Sequence, residues 1–326
     1  MSRLFGHEEA VAAFRAGLDS GRLHHAWLIS GRQGIGKSLF ARKAALRVLA
    51  QGTGPIARPG LDVPEDHPSS RLVAAGSHPD LMQLERLPKE TGTDLARSIT
   101  VAQVRSLQRL FVTTSTYSPW RVVTIDSVDD LEPAGANALL KSLEEPPPSS
   151  LFLLVSHAPE RLLPTIRSRC RMLRLQPLGR ADMEAALTSA LPDAPPAEIA
   201  ALAAVGEGAP GRAAAYRGLD VQGLDDAMRA IAAGGDPANQ HRSALAQSLA
   251  SKSAQPRYEA FLARAPSFIA AAARARGGPA LAQALSLWEQ ANELAAIALR
   301  QSLDAQATAF EMGTLIAGLA PRRIQA

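Results

Sequence analysis

The sequence predicts an α/β fold: a mostly parallel sheet covered by helices on both faces, followed by an all-helical second half. Three observations predict it. Short apolar runs alternate with stretches of helical period up to about residue 177. One of those runs leads directly into Gly31-Arg32-Gln33-Gly34-Ile35-Gly36-Lys37-Ser38, which satisfies the phosphate-binding pattern G-x-x-x-x-G-K-[ST] at every fixed position. Beyond residue 178 no convincing strand is found, and an alanine-rich helical pattern takes over.

Each element has its own signal. Val11, Phe14 and Leu18 share one face of a first helix. Ala26 to Ser30 is a short apolar run that predicts a buried strand, and Phe40, Ala44, Ala45, Val48 and Leu49 give residues 39–50 a helical apolar face. Residues 51–78 are rich in Gly, Pro and Asp and predict a long loop or insertion. Residues 80–84 predict a second strand. Thr100 and Gln103 form a capping box ahead of Val101, Val104, Leu107 and Phe111. Residues 122–126 predict a third strand that ends in an acid. Pro133 suits the first turn of a helix through Leu143, stopped by Pro146-Pro147-Pro148. Residues 151–155 and 172–175 predict the fourth and fifth strands. The expected division is a phosphate-loop domain over 1–177, a small helical domain over 178–220 and a helical domain over 221–326. In the last of these, Leu281, Leu285, Trp288, Asn292 and Ala295 recur at helical spacing.

The glycine loop carries the chemistry. Between a strand and a helix its backbone N–H groups can wrap phosphate oxygens, with the helix N-terminus adding favourable partial charge. Gly31, Gly34 and Gly36 would form the cradle, Lys37 would reach the outer phosphates, and the Ser38 hydroxyl would ligate Mg2+. Asp126 stands at a strand end, where a phosphate-loop protein places the carboxylate that holds the metal. The next position is Ser127, whose hydroxyl is a poor base at neutral pH. Asp129 and Asp130 fall in the following turn and are expected to face solvent or cap a helix. The sequence therefore predicts binding of ATP or ADP with weak or absent hydrolysis by this chain.

Two arginines stand out. Arg169, in Ser168-Arg169-Cys170, sits at a helix end before the fifth strand. From position alone it fits equally a finger reaching a neighbour's nucleotide or a surface ion pair. Arg212 follows a Gly/Pro turn and fits either a nucleotide contact from above or a surface helix start. Cys170 reads as a small buried apolar residue, and His24 and His25 as packed or capping groups or as an edge of the nucleotide pocket.

Composition narrows the classes. Of 326 residues, 46% are hydrophobic, enough for two or three domains. No apolar run is long enough for a membrane span, and the first residues lack a signal layout, so a cytoplasmic location is expected. One cysteine excludes internal disulfides and a cysteine-rich zinc site. Seven scattered histidines show no metal-ligand spacing. The net charge of +4 rests on thirty arginines and five lysines, and permits nucleic-acid contact without arguing for it.

Taken together, His25-Ala26, the run Leu139 to Pro147 and Ser168-Arg169-Cys170 resemble the AAA+ clamp-loader subunits of bacterial DNA polymerase III, across roughly residues 4–215. The resemblance implies an AAA+ domain, a helical lid and an all-α C-terminal collar in a five-membered ring that loads a sliding clamp onto primed DNA. Its partners would be the gamma/tau and delta subunits, the clamp and, through the complex, DNA. Ser127 stands where the family's motor subunits carry glutamate, and the chain stops near the end of a collar, which fits a stator. In that role Arg169 is the finger acting in trans, Arg212 matches the second sensor, and Ser156 is the nearest match to the first. Residues 51–98 contain no cysteine, so the four-cysteine zinc module carried by many family members is absent or reduced to a loop. Rival readings are an active gamma/tau-like ATPase and a small-molecule phosphate-loop kinase.

Overall fold

The computed structural model describes residues 3–89, 95–112 and 115–320. The chain forms two compact units, Met1–Ala215 and Tyr216–Ala326. In the first, strands β1 (Ala26–Ser30), β2 (Leu81–Glu85), β3 (Arg121–Asp126), β4 (Ser150–Ser156) and β5 (Arg171–Arg174) form one parallel sheet in the order β2-β3-β4-β1-β5. Around it run α1 (Glu8–Asp19), α2 (Lys37–Gln51), α3 (Pro68–Ala74), α4 (Val101–Val112), α5 (Pro133–Glu144) and α6 (Pro164–Arg167). Helices α7 (Arg180–Ala190), α8 (Pro196–Val205) and α9 (Pro210–Ala215) belong to the same unit.

The strand pleat explains why both sheet faces are covered. Along β1, Trp27 and Ile29 enter a core with Phe14 of α1 and Phe40 of α2, whereas Ala26 and Leu28 enter a second core with Leu107 of α4 and Leu139 and Leu143 of α5. Every residue of β1 and β4 is buried, which is why both read as unbroken apolar runs. Asp80 lies outside β2, because its carboxylate is used elsewhere. It accepts N–H bonds from Thr116, Tyr117 and Ser118 at 2.8–2.9 Å and caps the approach to β3. The capping box forms reciprocally: Thr100 N–H donates to Gln103 Oε1 at 3.0 Å and Gln103 N–H to Thr100 Oγ1 at 3.3 Å.

The 51–78 segment is more ordered than a loop-rich composition suggests. It contains α3 and is gathered onto Arg47, a residue only 2% exposed. Arg47 donates to the carbonyls of Arg58, Asp62 and Ile56 at 2.8, 2.9 and 3.2 Å and to Gln51 Oε1 at 3.1 Å. One planar cation thus satisfies three loop carbonyls from inside a helix. Lys43, one turn earlier, pairs with Asp62 at 2.7 Å.

The second unit consists of α10 (Val221–Gly234), α11 (Gln240–Leu249), α12 (Gln255–Arg274), α13 (Gly278–Gln301) and α14 (Ala305–Ala317), with no strand among its described residues. In α13 the buried positions are Ala284, Ala291 and Ala298, a seven-residue repeat of small side chains. Three larger apolar residues on that helix lie outward, with Leu285 46%, Trp288 39% and Leu299 53% exposed, while Leu281, Leu287, Leu294 and Ile297 are half-buried. Among the described residues no helix is long and apolar enough to cross a membrane.

The sheet order decides where chemistry can occur. Register places Ser30 beside Ser156 and Asp126 beside Val155, so the C-terminal ends of β1, β4 and β3 lie together. The glycine loop follows β1 at that edge, the position where open parallel sheets bind ligands.

Candidate nucleotide site

Gly34 and Gly36 adopt φ of +77° and +107°, values that L side chains rarely take, and this lets the chain curl between β1 and α2. A Cβ on Gly34 would also lie 2.5 Å from the Arg212 nitrogen. Helix α2 then opens at Lys37 with its first N–H groups directed at the loop. Lys37 is buried, and its ammonium donates to the carbonyls of Gly31 and Arg32, both at 2.8 Å. Burial lowers its pKa to about 8, against the opposing pull of Asp126 and Asp129. Ser38, half-buried, follows in the same turn. Asp126 stands half-buried at the end of β3, close enough for its charge to act on Lys37. A hydroxyl and a carboxylate are hard oxygen donors, the set that suits Mg2+.

Asp129 takes neither place the sequence offered it, solvent or a helix cap. Its carboxylate accepts from Ser127 Oγ (2.8 Å), Ser156 Oγ (2.9 Å), His157 N–H (2.7 Å) and Ala158 N–H (3.2 Å). These donors hold its pKa below the usual range in spite of desolvation. Both strand-end hydroxyls are therefore spent on one carboxylate, and that carboxylate is saturated. Asp130 is half-buried beside Arg86 at 3.2 Å, with burial raising its pKa.

Arg212, in the first turn of α9, is brought to the loop. Gly211 N–H donates to Gly34 O at 2.8 Å, and the Arg212 guanidinium meets Glu207 Oε2 at 3.4 Å. The same carboxylate oxygen accepts from Arg32 of the loop at 2.8 Å. Arg169 is elsewhere: it pairs with Glu144 at the end of α5 at 2.7 Å and donates to Thr165 O at 3.0 Å, with a third of its side chain exposed. Cys170 is half-buried, and its thiol is pushed up to about 12 by burial, which makes it inert at neutral pH. His24 and His25 stack at 4.5 Å beside the start of β1, the opposite end from the loop, and His25 donates to Leu143 O at 3.2 Å.

Two contributors escaped sequence reasoning. His7 donates from Nε2 to Ile35 O at 3.0 Å, so the segment before α1 braces the loop. Beside it a cavity of about 270 Å3 is lined by residues including His7, Leu175, Pro177 and Asp182. Glu207 is the second, and its only signal was a charged residue between two glycines in an otherwise apolar turn.

A family model described as "DNA polymerase III, delta subunit" matches residues 6–179. The delta-prime subunit of Pseudomonas aeruginosa is 37% identical over 198 residues, 61% of this chain and 57% of that protein. The delta-prime subunit of Escherichia coli K12 is 35% identical over 178 residues, 52% of this chain and 46% of that protein. A gamma/tau subunit of Mycobacterium bovis is 37% identical over 168 residues, 52% of this chain and 27% of that protein. The chain thus spans about half the length of the delta-prime relatives it matches. The family match takes in the phosphate loop, Lys37, the Asp126–Asp129 strand end and Arg169, and on this match the chain belongs to the DNA polymerase III delta-subunit family.

Proposed function

We propose that this chain acts as the delta-prime subunit of a DNA polymerase III clamp loader, a stator that binds nucleotide without turning it over. The observation that carries this reading is a complete phosphate loop facing a strand end that lacks a free base. Ser127 occupies the place of a water-orienting acid, and Asp129, the nearest other carboxylate, is saturated by four donors. In this reading the phosphates of ATP or ADP lie against the Gly31–Lys37 backbone, and Lys37 exchanges the carbonyls of Gly31 and Arg32 for phosphate oxygens. Ser38 and Asp126 would hold Mg2+, which screens phosphate charge when bound. Ser156 reports on the strand end through Asp129, and Arg212 links the loop to α9. The cavity beside His7 combines apolar walls from Leu175, Pro177 and Leu178 with the carboxylates of Glu8, Glu9 and Asp182.

Partners in this reading are the gamma/tau and delta subunits, with the sliding clamp and primed DNA engaged by the assembled ring. Residues 221–326 serve as the collar, a role supported by the outward Leu285 and Trp288 of α13. Arg169 leaves Glu144 to reach the nucleotide of a neighbouring subunit. An exposed pair of this kind is worth at most about 1 kcal/mol, so its exchange for a phosphate is affordable. The test is a ring reconstituted with gamma/tau and delta. Arg169→Ala should lower clamp-dependent ATP hydrolysis by about tenfold or more and leave the melting of the isolated chain unchanged. Undiminished hydrolysis removes the finger, and robust ATP turnover by the isolated wild-type chain removes the stator.

A further inference from the structure

Glu207 lies in a turn with little freedom. Its own φ is +51°, and it is flanked by Gly206 and Gly208. A Cβ on Gly206 would lie 2.6 Å from the Ala213 Cβ, and one on Gly208 would lie 2.6 Å from the Pro177 Cβ. Leu178 N–H donates to Gly208 O at 2.9 Å, which pins the turn to the segment after β5. The carboxylate is 28% exposed and one of its oxygens engages Arg32 of the phosphate loop and Arg212 of α9. Arg212, with a side chain 20% exposed, is the more enclosed of the two cations. Its helix is docked on the loop through the Gly211 N–H bond to Gly34 O, and Gly34 lies so close to the Arg212 backbone nitrogen that it admits no Cβ.

We propose that the Glu207 carboxylate is a tethered competitor that contends with the terminal phosphate of a nucleotide in this loop for Arg212, biasing the site toward nucleoside diphosphate and against triphosphate. The inference rests on the loop being a nucleotide site, as argued above. A diphosphate is satisfied by the loop N–H groups and Lys37. A third phosphate adds charge that calls for a further cation, and Arg212, the cation carried by the docked helix, is already engaged by the Glu207 oxygen that it shares with Arg32. The triphosphate must displace a carboxylate that the turn holds in place, whereas the diphosphate need not. Glu207 is thus a positioning and specificity residue that never touches the reacting atoms, and its neutral isostere should release Arg212 to the longer nucleotide.

The experiment is calorimetric titration of the full chain with Mg2+ and either ADP or a non-hydrolysable ATP analogue. The variants are Glu207→Gln, Lys37→Ala and the double change Glu207→Gln with Arg212→Ala, with thermal melting to check that each is folded. Glu207→Gln should raise affinity for the analogue by about three- to fivefold and leave ADP affinity unchanged. The gain should vanish in the double variant and shrink with added salt. If wild type binds both nucleotides in a Lys37-dependent way, but Glu207→Gln moves both equally or neither, the competitor role is overturned and the site stands. If wild type binds neither, the nucleotide site itself is overturned and this inference falls with it.

Discussion

Lys37→Ala is expected to weaken nucleotide binding by about a hundredfold or more, the loss of charge-assisted bonds worth about 3 kcal/mol. The residue is buried, and its ammonium is already in place at the loop, satisfied by two carbonyls at 2.8 Å. The wild-type site should also respond to pH with a defined sign. Lys37 titrates at about 8 instead of its ordinary 10.5, because burial opposes the charge. Phosphate selects the protonated form. Affinity should therefore be flat below about pH 8 and fall as pH rises through it, by at most about tenfold per unit. Titrations from pH 6.5 to 9.5 measure this, and a flat profile in wild type would remove Lys37 from contact with the anion. The stability of the free chain runs the other way. Between about pH 8 and 10.5 the unfolded state holds more protons on this lysine than the folded state does, so this group's contribution to stability rises with pH in that window. Lys37→Met should melt no lower than wild type at neutral pH while binding no nucleotide, because the loop tolerates a desolvated cation for the sake of its ligand.

Arg47→Ala is expected to destabilise the first unit by about 3 kcal/mol, because it leaves three inward-facing loop carbonyls without a donor. The thermal midpoint should drop by about 6–12 °C, and residues 52–62 should become the first site of protease cleavage. Arg47→Lys should recover little, since a compact ammonium cannot fork to carbonyls on three residues. An unchanged midpoint together with an intact 52–62 segment under protease would show that the loop holds itself. Resemblance placed a metal-bound module in this stretch for related proteins. Here the gathering cation is a side chain of α2, and it sits in a helix whose other inward residues are almost all apolar.

The two halves differ in how far local pattern could be read. Five strands were legible to within a residue or so, because β1 and β4 are buried on both faces and the interior of β3 is an unbroken buried run. The capping box before α4 and Pro133 at the start of α5 were equally legible, since each is a contact within one turn. In α13 the periodic Leu285 and Trp288 were visible, but their outward placement was not. Alanines at a seven-residue spacing are its fully buried positions, flanked by half-buried Leu287, Leu294 and Ile297, so size alone did not mark which large residues face outward.

Lys37 and the glycine loop are properties of eight consecutive residues, and a strand before and a helix after suffice to recognise them. The family pattern likewise runs along the chain, so the sequence alone pointed to membership and to a parallel sheet covered on both faces, whereas the strand order came from the fold. The fate of the charges was settled by topology. Asp129 meets Ser156 across 27 positions, and Arg32 meets Glu207 across 175, because parallel strands and the α9 turn converge on one edge of the sheet. Whether a carboxylate is free to accept a proton or already saturated depends on donors that only folding brings near. Tertiary structure therefore decided which of these residues can act, while sequence decided which were present.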